Sequence, residues 1–203
     1  MWRNRGRHAR DRDGSEHFVT RPFVFLDRDG TLVRDKGYTH KLSDYELLPR
    51  VREGLLRMSR AGFALAVVTN QSGIGRGYYG EADLSAFQAH LCADLERSGI
   101  RLESTLFCPH LPDAGCTCRK PAPGLLWRAR EELGADLGAS WVVGDRACDV
   151  ELARRAGCRG AVLVGVDATG LGDIGETPVR QDLEEAAEFI LSHTPRTERQ
   201  ARS

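Results

Sequence analysis

The stretch Phe23-Val24-Phe25-Leu26-Asp27-Arg28-Asp29-Gly30-Thr31 decides the fold: four apolar residues run straight into two acids and a glycine. A continuous apolar run, rather than an alternating one, fits a strand buried on both faces, as in a parallel sheet covered by helices. The same punctuation recurs along the chain. Ala64-Leu65-Ala66-Val67-Val68 leads into Thr69-Asn70-Gln71-Ser72-Gly73, and Thr105-Leu106-Phe107 into Cys108-Pro109-His110. Trp141-Val142-Val143 leads into Gly144-Asp145-Arg146, and Ala161-Val162-Leu163-Val164 is a fifth run. Helical patterns lie between them: Val51, Leu55, Leu56 and Met58 closed by Gly62; Leu84, Phe87, Leu91 and Leu95 closed by Gly99; Leu125, Leu126, Ala129 and Leu133 closed by Gly134; and a short helix over 149–156 stopped by Gly157. Strand and helix in alternation predict an α/β fold with a doubly wound parallel sheet. Such sheets bind ligands beyond the carboxyl ends of their strands, where each polar cluster falls here.

A chain of 203 residues suits one domain, placed at 21–193, with irregular, solvated tails over 1–20 and 194–203. Lys+Arg 29 against Asp+Glu 29 gives a formal net charge of zero, which removes any global electrostatic case for nucleic acid or an anionic membrane. No apolar run approaches the roughly 20 residues of a membrane span. The basic opening Met1-Trp2-Arg3-Asn4-Arg5 has no apolar stretch behind it and does not read as a secretory signal. The expectation is a cytoplasmic protein, a monomer, with a small-molecule substrate and neither nucleic-acid nor membrane partner.

Asp27 and Asp29 are two apart, so in extended backbone both side chains point one way and Arg28 points aside. Carboxylates so close repel unless a cation lies between them, and Asp145, from a neighbouring strand, supplies a third oxygen ligand. Oxygen-only ligation with room for water and phosphate suits Mg²⁺. The plainer alternative is a strand-ending Asp-Gly turn with solvated acids. Thr69 and Ser72 hydroxyls, the Asn70 and Gln71 amides and the pair Arg119-Lys120 together make a cradle for a phosphate; read alone, the basic pair is a solvated one. Cys108, His110, Cys116 and Cys118 offer three thiolates and an imidazole within eleven residues, a complete tetrahedral set for structural Zn²⁺. Reduced cysteines without metal, or a redox pair, are the alternatives. Cys92, Cys148 and Cys158 read as packing cysteines, and Asp149 as a metal ligand or a helix first-turn acid favoured by the macrodipole.

Phe25-Leu26-Asp27-Arg28-Asp29-Gly30-Thr31-Leu32 resembles the nucleophile motif of the haloacid dehalogenase superfamily of phosphatases. The segments at 68–74, the Cys-Pro-His…Cys-x-Cys-Arg-Lys-Pro stretch and Val143-Gly144-Asp145 resemble the branch that holds heptose-bisphosphate phosphatases and histidinol-phosphatases. Gly37-Tyr38-Thr39-His40 and the segment at 72–79 lean toward the heptose enzymes. The resemblance implies a Mg²⁺-dependent phosphatase with little or no cap domain. It implies Asp27 as nucleophile, Asp29 as general acid and base, and Thr69 and Lys120 on the phosphoryl group. It places Mg²⁺ on Asp27, Asp145 and the Asp29 backbone carbonyl. It further implies substrate contacts from Arg28, Asp35, Lys36, Gly37, Tyr38, Asn70, Gln71, Ser72, Arg119 and Arg146, the last standing where lysine is familiar. The rivals are a histidinol-phosphatase and a non-catalytic phosphosugar-binding module.

Overall fold

Val24, Leu26, Leu65, Val67, Val143 and Val162 are buried in one apolar cluster, while their chain neighbours Phe23, Phe25, Ala66, Val68 and Val142 are buried in another. Neighbouring residues of a strand face opposite sides, so both faces of this sheet are covered, which is why its strands read as unbroken apolar runs. In this computed structural model, which describes residues 8–10, 16–18, 20–167 and 171–195, the chain forms two sheets. A two-stranded antiparallel ribbon pairs β1 (His8–Arg10) with β2 (Glu16–Phe18). The main sheet has β3 (Arg21–Leu26), β4 (Ala64–Asn70), β5 (Ser104–Cys108), β6 (Ala135–Gly144), β7 (Gly160–Val164) and β8 (Val179–Arg180), all parallel, in the order β5-β4-β3-β6-β7-β8.

Helices α1 (Val51–Arg60), α3 (Glu81–Glu96) and α6 (Leu183–Ser192) bring Leu55, Met58, Phe87, Leu91 and Ile190 to the first face. Helices α4 (Gly124–Leu133) and α5 (Ala147–Ala156) bring Leu125, Leu126, Leu152 and Ala153 to the second. The single turn α2 (Ser72–Gly75) follows β4, and no separate cap domain stands among the described residues. No described helix is long and apolar enough to cross a membrane. From β3 the strands step outward through β4 and β5; the chain then returns to β6 on the other side of β3. The order reverses between β3 and β6, and there a crevice opens at the strand ends.

Beyond the sequence expectation lie the turn α2, the strand β8 and the helix α6. A two-residue strand carries no period, and α6 announces itself chiefly by its cap: Asp182 accepts the Glu184 and Glu185 N–H groups at 2.9 and 3.0 Å. The N-terminal ribbon lies inside the stretch expected to be irregular; the rest of 1–19 and residues 196–203 lie outside the described residues. Thr194, assigned to the C-terminal tail, is buried instead. Its hydroxyl accepts the Trp141 indole N–H at 3.1 Å and donates to the Ile190 carbonyl at 2.8 Å, so the folded unit runs at least that far.

Candidate active site

The site begins where β3 stops. The Asp27 N–H still donates to the Val143 carbonyl of β6 at 2.8 Å, which holds the Asp27 carboxylate over the crevice. One of its oxygens, Oδ1, accepts the Arg28 N–H at 2.8 Å and lies 2.9 Å from Lys120 Nζ. Lys120 is buried and reaches Asp149 Oδ1 at 2.7 Å as well. Asn70, at the tip of β4, clamps the Lys120 peptide from both sides: its amide donates to the Lys120 carbonyl at 3.1 Å and accepts the Lys120 N–H at 3.0 Å. Asp149, in the first turn of α5, also accepts the Arg146 N–H at 3.2 Å. It is thus both the first-turn acid and a member of the site.

Carboxylate oxygens of Asp27, Asp145 and Asp149 all lie within 4.8 Å of one another. Burial, then Asp27 and Asp149, push the Asp145 carboxyl up to about 7, and its Oδ1 is buried with no hydrogen-bond partner. Burial works against the Lys120 charge, but Asp149 and Asp27 outweigh it and hold the ammonium above its ordinary pKa. Lys120 thus faces three acids, with Arg146 Nε 3.8 Å from Asp145 Oδ1 at the edge of the cluster but also paired to Asp35, and a divalent ion would correct the remaining excess of negative charge; an all-carboxylate set with a buried oxygen that accepts no hydrogen bond fits Mg²⁺. Gly30 walls this cradle at φ +82, and a Cβ there would stand 2.2 Å from Asp145 Oδ2. Gly30→Ala combines a left-handed backbone with that clash, and urea unfolding is expected to show a loss of about 1–3 kcal/mol.

The Asp29 carboxylate is not in this cluster. The backbone leaves the extended form at Asp27, since the Arg28 carbonyl accepts the Leu32 and Val33 N–H groups at 2.9 and 3.0 Å, and the same-face argument lapses. The cation beside Asp29 is Arg28, whose Nε and one terminal nitrogen bond both carboxylate oxygens at 2.9–3.2 Å. Burial raises the Asp29 pKa against the opposing pull of Arg28. Gln71 Nε2 donates to Asp29 Oδ2 at 2.9 Å and to Thr69 Oγ1 at 2.8 Å, and the Tyr79 hydroxyl donates to Gln71 Oε1 at 2.5 Å. Thr69, Gln71 and Tyr79 are buried, and Arg28 is 0% exposed. The side chains of Arg28, Asn70 and Gln71, expected to contact substrate, are here bonded to Asp29, to the Lys120 peptide and to Asp29 and Thr69 respectively. Tyr79 entered the sequence reading only as the end of the segment at 72–79 and was given no role of its own, because nothing in its spacing ties it to residue 71.

Around the mouth, Arg146 bridges to Asp35 at 3.0 Å, and Asp35 also accepts the Gly37 N–H at 2.8 Å. The Lys36 N–H donates to Thr39 Oγ1 at 2.9 Å and its ammonium lies 3.4 Å from Glu46. Tyr38, at φ 54, meets Tyr78 edge-on at 4.9 Å, and both rings are exposed. His40 stacks on Tyr79 at 4.4 Å. Ser72 and Arg119 are half-buried, Arg119 donating to the His110 carbonyl at 3.4 Å. Beside Asp145, a cleft of about 390 Å³ opens between Gly30, Asp35, Gly165 and Gln181.

Cys108, at the end of β5, faces His110 and the thiols of Cys116 and Cys118. Cys108 Sγ lies 3.6 Å from Cys116 Sγ and 3.5 Å from His110 Nδ1, and His110 Nδ1 lies 3.2 Å from Cys118 Sγ. A tetrahedron with Zn–S near 2.3 Å has edges of about 3.8 Å, so the set is nearly the right size for zinc, and its three sulfurs and one imidazole nitrogen would fill the four positions with none left open. Burial pushes the Cys108 thiol up to about 12, whereas hydrogen bonds from Cys118 and the Arg119 N–H bring Cys116 down to about 7 against its burial.

Residues 117–186 match the HAD-hydrolase-like family model. The chain is 38% identical over 178 residues to the D-glycero-beta-D-manno-heptose-1,7-bisphosphate 7-phosphatase of Photorhabdus laumondii, covering 84% of this chain and 90% of that protein. It is 37% identical over 178 residues to the protein of the same name from Escherichia coli K12, covering 84% and 88%. Among solved structures, a D,D-heptose 1,7-bisphosphate phosphatase from B. bronchiseptica, complexed with magnesium and phosphate, matches with a TM-score of 0.77 at 32% identity, over 85% of this chain and 99% of that one.

Proposed function

This chain belongs to the haloacid dehalogenase-like hydrolases, in the family of the heptose-bisphosphate phosphatases, and on that premise we propose that it removes the 7-phosphate of D-glycero-D-manno-heptose 1,7-bisphosphate in heptose biosynthesis. The observation that carries the reading is the pinning of Asp27 Oδ1 by Lys120 at 2.9 Å, beside a buried Asp145 oxygen that accepts no hydrogen bond. A nucleophilic carboxylate needs both an orienting cation and a way to approach an anion.

Asp27 attacks the phosphorus in line. As its oxygen bonds to phosphorus, the bond from phosphorus to the sugar oxygen breaks, and the proton carried by Asp29 passes to that departing oxygen. Asp29, now a carboxylate, takes a proton from the water that attacks the aspartyl-phosphate, which releases inorganic phosphate and restores Asp27. Thr69 and Lys120 hold the phosphoryl oxygens, with Asn70 fixing Lys120 in place. Arg119, Arg146, Ser72 and the loop at 35–38 face the remainder of the sugar. Asp27 and Asp145 would hold a Mg²⁺ that neutralises the phosphoryl oxygens. The Asp29 share of that site is confined to its backbone carbonyl, because its carboxylate lies in the Arg28 fork. Cys108, His110, Cys116 and Cys118 would hold a Zn²⁺ as a closed set that stiffens the loop leading to Arg119 and Lys120.

Incubating the purified chain with each anomer of the heptose bisphosphate and with histidinol phosphate tests the reading, with ³¹P resonances reporting which phosphate leaves. The 7-phosphate signal should vanish with Mg²⁺ present and turnover should fall on the order of 10³-fold in chelator. Faster release from histidinol phosphate would replace the substrate assignment, and no release from any of them would leave the binding-module alternative.

A further inference from the structure

We propose that Arg28 is a positioning residue, which fixes the Asp29 carboxyl in the attitude from which it protonates the leaving oxygen; this rests on the reading of Asp29 as general acid. Arg28 is the largest fully buried side chain in the described protein. A buried charge is costly unless paired, and an apolar side chain of like size would serve stability as well or better. The structure suggests what the charge is for. Nε and one terminal nitrogen of Arg28 both face Asp29, while the other terminal nitrogen is buried with no hydrogen-bond partner. The guanidinium is thus aimed at Asp29 at the expense of its own satisfaction.

Its remaining contacts keep that aim. The nitrogen that meets Asp29 also donates to the Thr39 carbonyl at 2.5 Å and to Gln71 Oε1 at 3.2 Å, and the guanidinium carbon lies 4.8 Å from the centre of the Phe87 ring. Gln71 bonds Asp29 a second time, held in turn by Tyr79. Asp29 is therefore braced by a planar fork and by an amide, and its side chain remains 18% exposed toward the crevice while that of Arg28 is 0% exposed. Each of the two guanidinium nitrogens lies 2.9–3.2 Å from both carboxylate oxygens, so the rigid pair of donors centres the carboxyl on the fork, which the single point charge of a lysine does not. The contact to Thr39 ties the same fork to the loop that carries Tyr38 and His40, so the acid and the mouth of the site share one anchor.

In the step concerned, the phosphorus bond to the leaving oxygen breaks, that oxygen receives the Asp29 proton, and Arg28 keeps its charge throughout. Demand for the proton rises with the basicity of the leaving group, so kcat/KM should be followed for Arg28→Lys across aryl phosphates, p-nitrophenyl phosphate included, and an alkyl phosphate. This parameter stops at the first irreversible step, so the later water attack does not enter. The variant should lose on the order of 10²-fold with the alkyl phosphate and less than about threefold with p-nitrophenyl phosphate, whose leaving group needs no proton. Equal losses on both, or none, overturn the proposal. Asp29→Asn in the same series separates the two readings: if it too is indiscriminate, the general-acid assignment falls and the proposal with it. Should Arg28→Lys fail to fold, Phe87→Leu decides, since it frees the guanidinium on one side and should give a smaller loss with the same leaving-group bias; an unbiased loss there counts against Arg28.

Discussion

Asp27→Asn is expected to abolish phosphate release, by on the order of 10⁴-fold or more, with the fold intact. The amide is nearly the same size, and its oxygen can still accept the Arg28 N–H and the Lys120 ammonium that now meet Asp27 Oδ1. What is lost is the anionic oxygen that bonds to phosphorus. The substitution also removes one of the acids that push Asp145 up to about 7. A carboxyl raised in the native state binds more protons than in the unfolded chain between its ordinary pKa and about 7. Its cost to stability therefore grows as pH rises through that window and is fully present above it. Metal-free Asp27→Asn should consequently unfold at or above the wild-type temperature at pH 8. Retained turnover, measured by phosphate release, would sink the nucleophile assignment. A lower unfolding temperature at pH 8 would contradict the crowding of the three acids.

Lys120→Met has the larger structural effect. The ammonium is the cation shared by Asp27 and Asp149, and Asp149 is 1% exposed. Removing one partner of a buried ion pair strands the other, at about 3–5 kcal/mol. For a chain of this length that lowers the unfolding temperature by roughly 6–20 °C. Activity should fall as well, by on the order of 10²–10³-fold, because a fixed donor to the phosphoryl oxygens is gone. The stability deficit should shrink as pH falls, since the stranded carboxyls can then take protons. Adding Asp149→Leu to Lys120→Met should recover much of the stability and none of the activity. A double variant no more stable than the single one would mean that the Lys120–Asp149 contact is not what stability depends on.

Much of this site was legible before any coordinates, because the doubly wound pattern predicts where a strand's last residues go. Asp27, Thr69, Cys108 and Asp145 follow four apolar runs and stand at four strand ends in the folded chain. The reading failed where it assumed that extended geometry continues past the strand. At Arg28 the chain already turns, so the cation beside Asp29 is its neighbour in sequence rather than an ion shared with Asp27. Asn70 and Gln71 have the chemistry to bind a sugar, and they are instead occupied by Lys120 and Asp29. Residue type announces that a group can form hydrogen bonds, but not which partner reaches it first.

The amino-acid sequence alone determined the layering of helices on a parallel sheet, the order of its motifs and the Cys/His set, because periodicity and short spacing are local properties of a chain. Strand order already brought Asp145 to Asp27; only the tertiary structure decided that the Asp149 carboxylate joins them and that of Asp29 does not. Asp27 and Asp149 lie 122 positions apart, and their shared contact with Lys120 exists because β3 and β6 pair while Asn70 holds the Lys120 peptide between them. Long-range convergence of this kind comes from the closing of the sheet, so no local pattern encodes it. The same holds for Arg28, whose burial against Phe87, Thr39 and Gln71 draws on three separate segments at once.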